Sequence, residues 1–417
     1  MIDELIARQI VRRLSNGPQR FSEIVPFCWG AFPSDVRRVL VDLVNQTTVL
    51  QRGEQFGIAP IPGTPLHGFG VRPSDEIARR YCEIVRDWPD PHQSNYEWRF
   101  TFEGARLLLD TVQSLCGSAA RVCFMGCPTP FLFAALAGLS ESILLLDNGT
   151  PTISYMRTVG FGAQVREHDL LLGLPSELSS GFDAVVMDPP WYPEYYANFL
   201  DASSRAVVKG GYVLSALFPP CTREAAADER ATVLQAGFEC GLSVVSLCQG
   251  VLRYDTPHFE ANTLALSGVE PLPNWRQADL LVFVKTAEPG GLRPAVVRPS
   301  SWKEWILGKC VVKLRVTTER FDNCEILVPI RGQNALLPTV SRTCELIPHI
   351  GLWTSSNHAY RVNRPDLVGR ILDLMSRGMN AAEVKLAIQM EFSQGSHEDQ
   401  QSLCSAVDEL FKATCFV

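Results

Sequence analysis

From Arg121 to Lys285 the chain alternates short apolar runs with helical segments, and this alternation restricts the fold more than any other feature. The predicted strands are Val122–Met125, Ser142–Leu146, Gln164–Glu167, Phe182–Met187, Tyr212–Phe218, Leu242–Cys248 and Leu280–Lys285. The predicted helices between them are Thr129–Ala137, Pro151–Val159, Tyr195–Val208 and Arg223–Ala236. Buried strands joined by helices predict an α/β domain with a parallel sheet and right-handed crossovers. We assign this domain to residues 119–290.

The segment Asp188-Pro189-Pro190-Trp191 directly follows one predicted strand and precedes a helix. Proline fixes φ near −65° and donates no hydrogen bond, so the neighbouring carbonyl groups point where the turn directs them. A carboxylate and a carbonyl can accept both N–H bonds of an amine, while the aromatic ring offers a stacking or cation–π wall. The segment is therefore the candidate catalytic motif for chemistry at an amine nitrogen.

Other predicted strands also end in polar or turn-forming residues. Gly126-Cys127-Pro128-Thr129 follows the first strand, Asp147-Asn148 the second, and Asp169-Leu170 the third. In an open α/β sheet, ligands bind beyond the carboxyl ends of the strands near the switch point. These residues are therefore expected to converge with Asp188 on one crevice.

Over roughly residues 119–287 this arrangement resembles the class I S-adenosylmethionine-dependent methyltransferases, which have a Rossmann-like sheet. The resemblance implies S-adenosylmethionine as cofactor. It implies that the backbone of Gly126, Cys127, Pro128 and Thr129 approaches the methionine moiety, that Asp147 with Asn148 takes the ribose hydroxyls, and that Asp169 with Leu170 faces the adenine. The family's usual Gly-x-Gly turn is replaced here by Gly126-Cys127-Pro128-Thr129-Pro130, which is a stiffer loop.

Two subfamilies are more similar. The eukaryotic N6-adenine-type methyltransferases, some of which methylate lysines, also carry a proline-bearing turn and a segment like Phe182–Pro190. The branched-chain polyamine synthases place a winged helix before the catalytic domain and a segment like Phe100-Thr101-Phe102-Glu103 before the first strand. Their acidic Gly-Asp-Asp-Asp turn is absent at Gly126–Thr129, which argues against a polyamine substrate.

The long insertion Val251–Asp279 between the last two predicted strands carries further candidate substrate residues. Tyr254 and Phe259 could stack on an acceptor, and Asp255 and Glu260 could hold its amine. His258 is a weaker candidate for a catalytic base, and Tyr192 extends the catalytic motif. A solvated loop anchored by its aromatic residues is the alternative interpretation.

Residues 1–60 are predicted to form a winged helix: three helices followed by a hairpin at Val49–Ile58. The third helix would read DNA in a regulator, and Arg37 and Arg38 are its candidate contacts. Seven Arg nearly balance six Asp and Glu over residues 1–60, which favours packing or dimerisation over DNA reading. Residues 61–118 are predicted to be a Pro/Gly-rich linker followed by helices at Asp75–Asp87 and Thr101–Leu115.

Residues 297–417 are predicted to be a separate α+β module. Strands are expected at Lys309–Thr317, Glu325–Pro329 and Leu352–Thr354, followed by three amphipathic helices. The helical tail resembles a second winged helix, similar to the small proteins that hold precursor peptides in peptide-maturation systems.

Bulk composition excludes several classes of protein. A net charge of −7 gives no global electrostatic argument for nucleic acid, and no apolar segment is long enough to span a membrane. The 13 cysteines form no Cys-x-x-Cys pair, and no metal site is expected. Reduced thiols and a start that lacks the features of a signal peptide predict a cytoplasmic protein.

The residues together predict transfer from S-adenosylmethionine to an amine nitrogen, with N-methylation as the first expectation. The acceptor would be an amine-bearing protein, peptide, nucleobase or small molecule, and a homodimer is an open alternative. Aminopropyl transfer, as in the branched-chain polyamine synthases, is a second interpretation. A non-catalytic binding or scaffold protein built on a methyltransferase fold is the third.

Overall fold

A computed structural model of the chain describes residues 2–46, 48–58, 75–139, 141–290, 302–315, 325–341, 344–391 and 397–414. The predicted linker from Pro60 to Pro73 lies outside these residues. By packing, the chain divides into two compact units. The first contains residues 1–87, 98–256 and 272–297, and the second contains residues 88–97, 257–271 and 298–417.

The first unit begins with a small helical region that carries its own sheet. Its elements are α1 (Ile2–Leu14), β1 (Gln19–Arg20), α2 (Phe21–Ile24), α3 (Pro33–Asn45), β2 (Leu50–Arg52) and β3 (Gln55–Gly57). The strands form an antiparallel sheet in the order β1-β3-β2. The two hairpin strands and the helices are as expected, whereas the two-residue β1 is too short for a periodic signal and was missed. Assignment as a winged helix stays a prediction.

Two helices precede the large sheet, α4 (Asp75–Asp87) and α5 (Phe102–Cys116). Both confirm the sequence prediction. Thr101 is the N-cap of α5, because its side-chain oxygen accepts a hydrogen bond from the backbone N–H of Gly104 at 3.1 Å. Gly104 itself is required by close packing, since a Cβ there would lie 2.9 Å from the backbone oxygen of Arg253.

The large sheet has seven strands in the order β6-β5-β4-β7-β8-β10-β9. In chain order its elements are β4 (Val122–Met125), α6 (Pro128–Leu136), β5 (Ile143–Asp147), α7 (Thr150–Thr158), β6 (Val165–Glu167), β7 (Phe182–Met187), α8 (Pro193–Ala206), β8 (Val207–Leu217), α9 (Ala226–Glu239), β9 (Leu242–Arg253) and β10 (Gln277–Lys285). Strands β4 to β8 pair in parallel, and β10 pairs antiparallel with both β8 and β9. The order reverses between β4 and β7, which defines the switch point of the sheet.

The core explains why these strands are apolar along their whole length. All four residues of β4 are buried, and β7 is buried at five of its six positions. Helices cover both faces of a parallel sheet, so its central strands carry near-continuous apolar runs rather than alternating ones.

Several element boundaries differ from the prediction. The helix before Lys209 ends at Ala206, and β8 already begins at Val207 and continues through Gly210 and Gly211, with an irregular register against β7. Strands β9 and β10 extend further than predicted, to Arg253 and back to Gln277, because their antiparallel ladder continues across two bulges. The insertion between them therefore shrinks to residues 254–276.

The second unit combines an antiparallel sheet with helices. In addition to α10 (His258–Leu266), its elements are β11 (Trp302–Leu307), β12 (Cys310–Arg315), β13 (Leu327–Pro329), β14 (Leu352–Thr354), β15 (Ala359–Val362), α11 (Pro365–Met375), α12 (Ala381–Glu391) and α13 (His397–Thr414). The sheet order is β11-β12-β14-β15-β13. The three helices confirm the prediction, but two of the five strands, β11 and β15, were missed.

Two short segments from elsewhere in the sequence belong to this second unit. From residues 88–97, His92 Nε2 lies 3.1 Å from the Trp353 carbonyl, and Gln93 donates to the Thr354 carbonyl at 3.1 Å. From residues 257–271, Thr263 accepts a hydrogen bond from Asn357 at 2.8 Å. These buried polar contacts are non-local in sequence, so a boundary drawn at residue 297 could not include them.

Within the described ranges, no helix combines the length and apolar character needed to cross a membrane.

Candidate active site

The turn after β7 carries Asp188 at the switch point of the sheet. The Asp188 N–H donates to the carbonyl of Met125, the last residue of neighbouring β4, at 3.2 Å. The Tyr192 N–H donates to the Pro190 carbonyl at 2.6 Å, and α8 begins at the next residue, Pro193. The two prolines therefore make a tight strand-to-helix turn that holds Asp188 beside the end of β4.

The Asp188 carboxyl is partly buried and hydrogen-bonded by aromatic side chains. The Tyr254 hydroxyl donates to Asp188 Oδ1 at 2.9 Å. Burial raises the pKa of Asp188 from 3.8 to about 8, although hydrogen bonds from Tyr254 and Trp191 act in the opposite direction. Near neutral pH the ligand-free carboxyl therefore carries a proton for much of the time. A bound cation or N–H donor would favour its ionised form.

Tyr254 and Trp191 contact this carboxyl, and a third ring, Phe100, packs against Tyr254. Tyr254 stacks on Phe100 with ring centres 4.3 Å apart, and Trp191 meets Tyr254 edge-on at 5.8 Å. Phe100 and Tyr254 are both 1% exposed, so these two rings belong to the core. Of the three, Trp191 keeps some exposure and is the ring that a ligand can reach.

The face of Trp191 is already in contact with a protein cation. The guanidinium carbon of Arg276 lies 5.2 Å from the Trp191 ring centre, 4.8 Å from that of Trp98 and 4.9 Å from that of Trp275. Arg276 is only 8% exposed. Such a three-indole arrangement stabilises a guanidinium by cation–π attraction. Sequence reasoning missed Trp98, Trp275 and Arg276, although the Trp275-Arg276 pair at the start of β10 was a visible signal.

Tyr192 has a similar neighbour. The Arg223 guanidinium lies 4.7 Å from the Tyr192 ring centre and 4.6 Å from that of Phe218, and it forms an ion pair with Glu229. Trp191 and Tyr192, the two partly exposed rings of the motif segment, thus each contact an arginine. Polycationic ligands would compete with these guanidinium groups for the same ring faces.

The turn after β4 is the candidate donor site. Gly126 has φ +61°, a conformation that glycine adopts without strain, and its N–H donates to the Leu146 carbonyl at 2.9 Å. Cys127 is the N-cap of α6 and Pro128 is its first residue. The Thr129 hydroxyl accepts a hydrogen bond from the backbone N–H of Phe100 at 3.0 Å. The polar side chain of this turn is therefore engaged by protein, and its backbone is what remains for a ligand.

Asp147 ends β5 and lies next to this turn. Its Oδ1 accepts a hydrogen bond from the Gly149 N–H at 2.7 Å, and Asn148 between them is exposed. The pKa of the Cys127 thiol is raised well above its usual value, mainly by burial and then by the negative charges of Asp188 and Asp147. The ends of β4, β5 and β7 therefore converge, as the sequence suggested.

Asp169 and Leu170 lie beyond β6. Asp169 caps the short 3₁₀ turn Leu170–Leu172, because its Oδ1 accepts from the Leu171 N–H at 3.0 Å. The Leu170 side chain is buried in the same apolar cluster as Met187 and Phe199. Their predicted place beside an adenine ring is not decided by these contacts and stays a prediction.

The candidate substrate residues of the insertion separate between the two units. Tyr254 and Asp255 belong to the first unit, and burial raises the pKa of Asp255 to about 6. His258, Phe259 and Glu260 lie in the first turn of α10 in the second unit, where Phe259 and Glu260 are fully buried. The interpretation of this segment as a solvated loop is wrong for these buried residues. A role for the three in acceptor binding stays a prediction.

The two arginines of α3 are engaged inside the N-terminal region. Arg38 donates to both carboxylate oxygens of Asp3, at 2.7 and 2.8 Å, and Arg37 lies over the Phe21 ring. Phe32, which caps α3, contacts Trp275 edge-on at 5.3 Å. The start of this helix thus packs against the Trp275–Arg276 segment of the first unit.

In the part of the chain that the structure describes, no group of three or more His, Cys, Asp or Glu side chains is arranged to hold a metal ion.

Comparisons with known proteins identify the fold. Protein-family models give no match, and neither do curated proteins. Among solved structures, the branched-chain polyamine synthase of Thermus thermophilus, in complex with N4-aminopropylspermidine and 5'-methylthioadenosine, superposes with a TM-score of 0.55. The match covers 72% of this chain and 90% of that one at 17% identity. A mutein of the same enzyme gives a TM-score of 0.52 at 18% identity, covering 71% and 88% of the two chains.

The chain has the class I methyltransferase fold. A TehB-like S-adenosylmethionine-dependent methyltransferase from Corynebacterium glutamicum is also similar, at 16% identity and a TM-score of 0.29, over 51% of this chain and 97% of that one. The antiparallel β10 between β8 and β9 completes the sheet of this fold. At these identities the likeness concerns the fold alone.

Proposed function

We propose that the protein transfers a methyl group from S-adenosylmethionine to an amine nitrogen. The observation that carries the proposal is the Asp188 carboxyl, which is held at the carboxyl end of β7 beside the β4–α6 turn and braced by Tyr254. The two prolines and Trp191 that follow Asp188 in sequence provide a carbonyl group and an aromatic ring next to the same carboxyl.

The acceptor side orients the nucleophile. As a carboxylate, Asp188 accepts an N–H bond of the amine and thereby directs the nitrogen lone pair away from itself. A carboxyl group with a pKa of about 8 also matches a proton acceptor working near neutral pH. When the new N–C bond forms, the nitrogen becomes positively charged, and the ionised Asp188 stabilises that charge.

The donor side fits the proposed cofactor. Gly126 lets the backbone turn sharply after β4, so that α6 begins two residues later, at Pro128. We assign the ribose hydroxyl groups to the Asp147 carboxylate, which ends β5 and accepts the Gly149 N–H. We assign the adenine end to Asp169 and Leu170. The cofactor would supply an activated methyl group on a sulfonium, whose S–C bond breaks as the N–C bond forms.

The direct test is isothermal titration calorimetry of the purified chain with S-adenosylmethionine, followed by mass analysis of a library of amines, peptides and nucleosides. We expect binding at micromolar concentrations and a product heavier by one methyl group. Asp147→Asn should weaken donor binding, whereas Asp183→Asn, at the other end of β7, should not. Absence of binding up to millimolar ligand would exclude the proposal.

A second candidate is aminopropyl transfer, favoured by the likeness to the branched-chain polyamine synthase over most of that protein's length. Two observations disfavour it. The Gly126–Thr129 turn carries no carboxylate to hold a polycation, and the partly exposed rings of Trp191 and Tyr192 already contact Arg276 and Arg223. Incubation with decarboxylated and intact S-adenosylmethionine in parallel, each with a panel of amines, distinguishes the two transfers by product mass.

The proposal extends to the acceptor class and to the N-terminal region. We propose a cytoplasmic enzyme whose acceptor is an amine-bearing protein, peptide, nucleobase or small molecule; the pairing of Arg38 with Asp3 makes DNA a poorer candidate than a packing or dimerising role for the N-terminal region. If the fold serves only as a scaffold, Asp188→Ala should leave biological function intact while changes at Arg37 and Arg38 abolish it.

A further inference from the structure

We propose that Tyr254 is a positioning residue that orients the Asp188 carboxyl through its hydroxyl group, and that the Phe100 peptide holds Tyr254 in place. The inference rests on the proposed function, because it names the residue that prepares the acceptor-binding carboxyl. It assigns Tyr254 a role different from stacking on the acceptor.

A hydrogen bond joins the Tyr254 hydroxyl to the Asp188 carboxyl. The Tyr254 hydroxyl lies 2.9 Å from Asp188 Oδ1, and the Tyr254 side chain is 1% exposed. Burial, and then the negative charge of Asp188, raise the pKa of Tyr254 well above its usual value. The phenol therefore keeps its proton and donates to Asp188 Oδ1 when the carboxyl is ionised, which fixes the rotation of the carboxylate group.

Phe100 holds the Tyr254 ring in place. Phe100 stacks on it at 4.3 Å with 29° between the planes, and the two residues also form an isolated antiparallel β-bridge. The Phe100 N–H donates to the Thr129 hydroxyl at 3.0 Å, and the Phe100 carbonyl accepts from the Tyr81 hydroxyl at 2.9 Å. Both peptide groups of Phe100 are thus held by buried side chains.

One of the residues that hold Phe100 belongs to the proposed donor turn. Thr129 lies in the first turn of α6, two residues after Cys127, and so belongs to the turn proposed for the donor. The contacts run from Thr129 to Phe100, from Phe100 to Tyr254, and from Tyr254 to Asp188. Donor turn and acceptor carboxyl are therefore connected by packed, hydrogen-bonded groups, and a shift of one is expected to reach the other.

Two carboxyl groups here titrate near neutral pH, because burial also raises the pKa of Asp255, the neighbour of Tyr254, to about 6. The charge of Asp188 acts on the Cys127 thiol, the Tyr196 phenol of α8 and the Tyr254 phenol. Burial raises the pKa of all three well above its usual range, so they stay neutral. Asp255 and the Cys127 and Tyr196 groups are the same in wild type and in Tyr254→Phe, so a difference between the two Asp188 titrations reports the Tyr254 hydrogen bond.

The experiment measures that titration without requiring turnover. The full chain is labelled with ¹³Cγ-aspartate, the Asp188 resonance is assigned with Asp188→Asn, and its pH dependence is followed by NMR in wild type and in Tyr254→Phe. Because a hydrogen bond to the charged form lowers a carboxyl pKa, its loss should move the Asp188 titration up by about one pH unit. The matched control is Tyr360→Phe, which removes a tyrosine–carboxylate hydrogen bond to Glu409 in the second unit.

An unchanged Asp188 titration in folded Tyr254→Phe overturns the positioning role. A shift shared by Tyr360→Phe also overturns it, since the effect would then be general. If wild type fails to bind S-adenosylmethionine but the titration shifts as expected, the proposed function falls and the positioning role stands. For an active enzyme, the pH profile of kcat/KM should move alkaline by the same amount in Tyr254→Phe.

A second pair of variants tests the support from Phe100 without touching Tyr254. Thr129→Val removes the acceptor for the Phe100 N–H, whereas Thr129→Ser keeps it. We expect Thr129→Val to broaden or shift the Asp188 resonance and Thr129→Ser to restore the wild-type titration. Identical spectra for wild type and Thr129→Val would overturn the proposed link to the donor turn.

Discussion

The turns after β4 and β7 lie side by side at the end of one sheet, yet they offer opposite chemistry to a ligand. Met125 and Met187, the last residues of the two strands, are register partners, and each turn then carries prolines that lead into a helix. In the first turn Cys127 is buried and Thr129 is hydrogen-bonded to Phe100. In the second, the Asp188 carboxyl is held by Tyr254 and remains partly accessible.

This difference in available groups suggests that the two turns interact with a ligand in different ways. The β4 turn can serve a ligand mainly through backbone groups, whereas the β7 turn serves it through one carboxyl side chain. Side-chain replacement should therefore affect the acceptor turn most, and backbone strain should affect the donor turn most.

Asp188→Ala should lower kcat by about 10²–10³-fold, because it removes the charge that orients the amine and stabilises the new cation. Donor affinity, measured by calorimetry, should change little. Asp183→Ala is the control on the same strand, where the carboxylate accepts the Arg121 N–H at 2.8 Å. Equal losses in the two variants would contradict a specific role for Asp188.

Asp188→Asn should change the pH dependence of stability. The folded-state pKa of Asp188, about 8, is above the unfolded value of 3.8, so between these values the folded state retains a proton that the unfolded state loses. As pH rises through that window, the free energy of unfolding of wild type should consequently fall by up to about 1.4 kcal/mol per pH unit relative to that of Asp188→Asn. Parallel urea titrations at several pH values measure the difference, and parallel curves for the two proteins would contradict it.

Gly126→Ala should weaken donor binding about tenfold and destabilise the fold by roughly 1–2 kcal/mol, because a side chain at positive φ is strained. The new Cβ would also lie 3.3 Å from the Phe199 ring and 3.4 Å from the Asp188 carbonyl. Gly138→Ala is the matched control, since Gly138 has φ +91° and open space around its Cβ position. Gly138→Ala should destabilise the fold through the same backbone strain but leave donor affinity unchanged.

Asp147→Asn should reduce donor affinity by about three- to tenfold, because an amide accepts hydroxyl hydrogen bonds less strongly than a carboxylate does. The rate at saturating donor should be unchanged. Calorimetry with S-adenosylmethionine and with its demethylated product measures the effect. A larger loss for the acceptor than for the donor would place Asp147 on the wrong side of the site.

The predictable part of the site was local. Strand β7 followed by Asp188-Pro-Pro-Trp191, and β5 followed by Asp147, were recognised because apolar runs and turn residues are adjacent in sequence. The hydrogen bond from Tyr254 to Asp188 was not predicted, although Tyr254 was a candidate substrate residue, because 66 residues separate the two in sequence. The place of His258, Phe259 and Glu260 in the second unit was missed for the same reason.

The chain order of strands and helices, the α/β class and the acidic strand ends could be predicted from the sequence, because each depends on periodicity and composition over a few residues. Which side chains meet was decided by the tertiary fold: Tyr254 with Asp188, Phe100 with Thr129, and Arg276 with three tryptophans. It also decided that Asp188 is a carboxyl with a raised pKa. Desolvation depends on atoms brought in from distant segments, and no local pattern encodes that quantity.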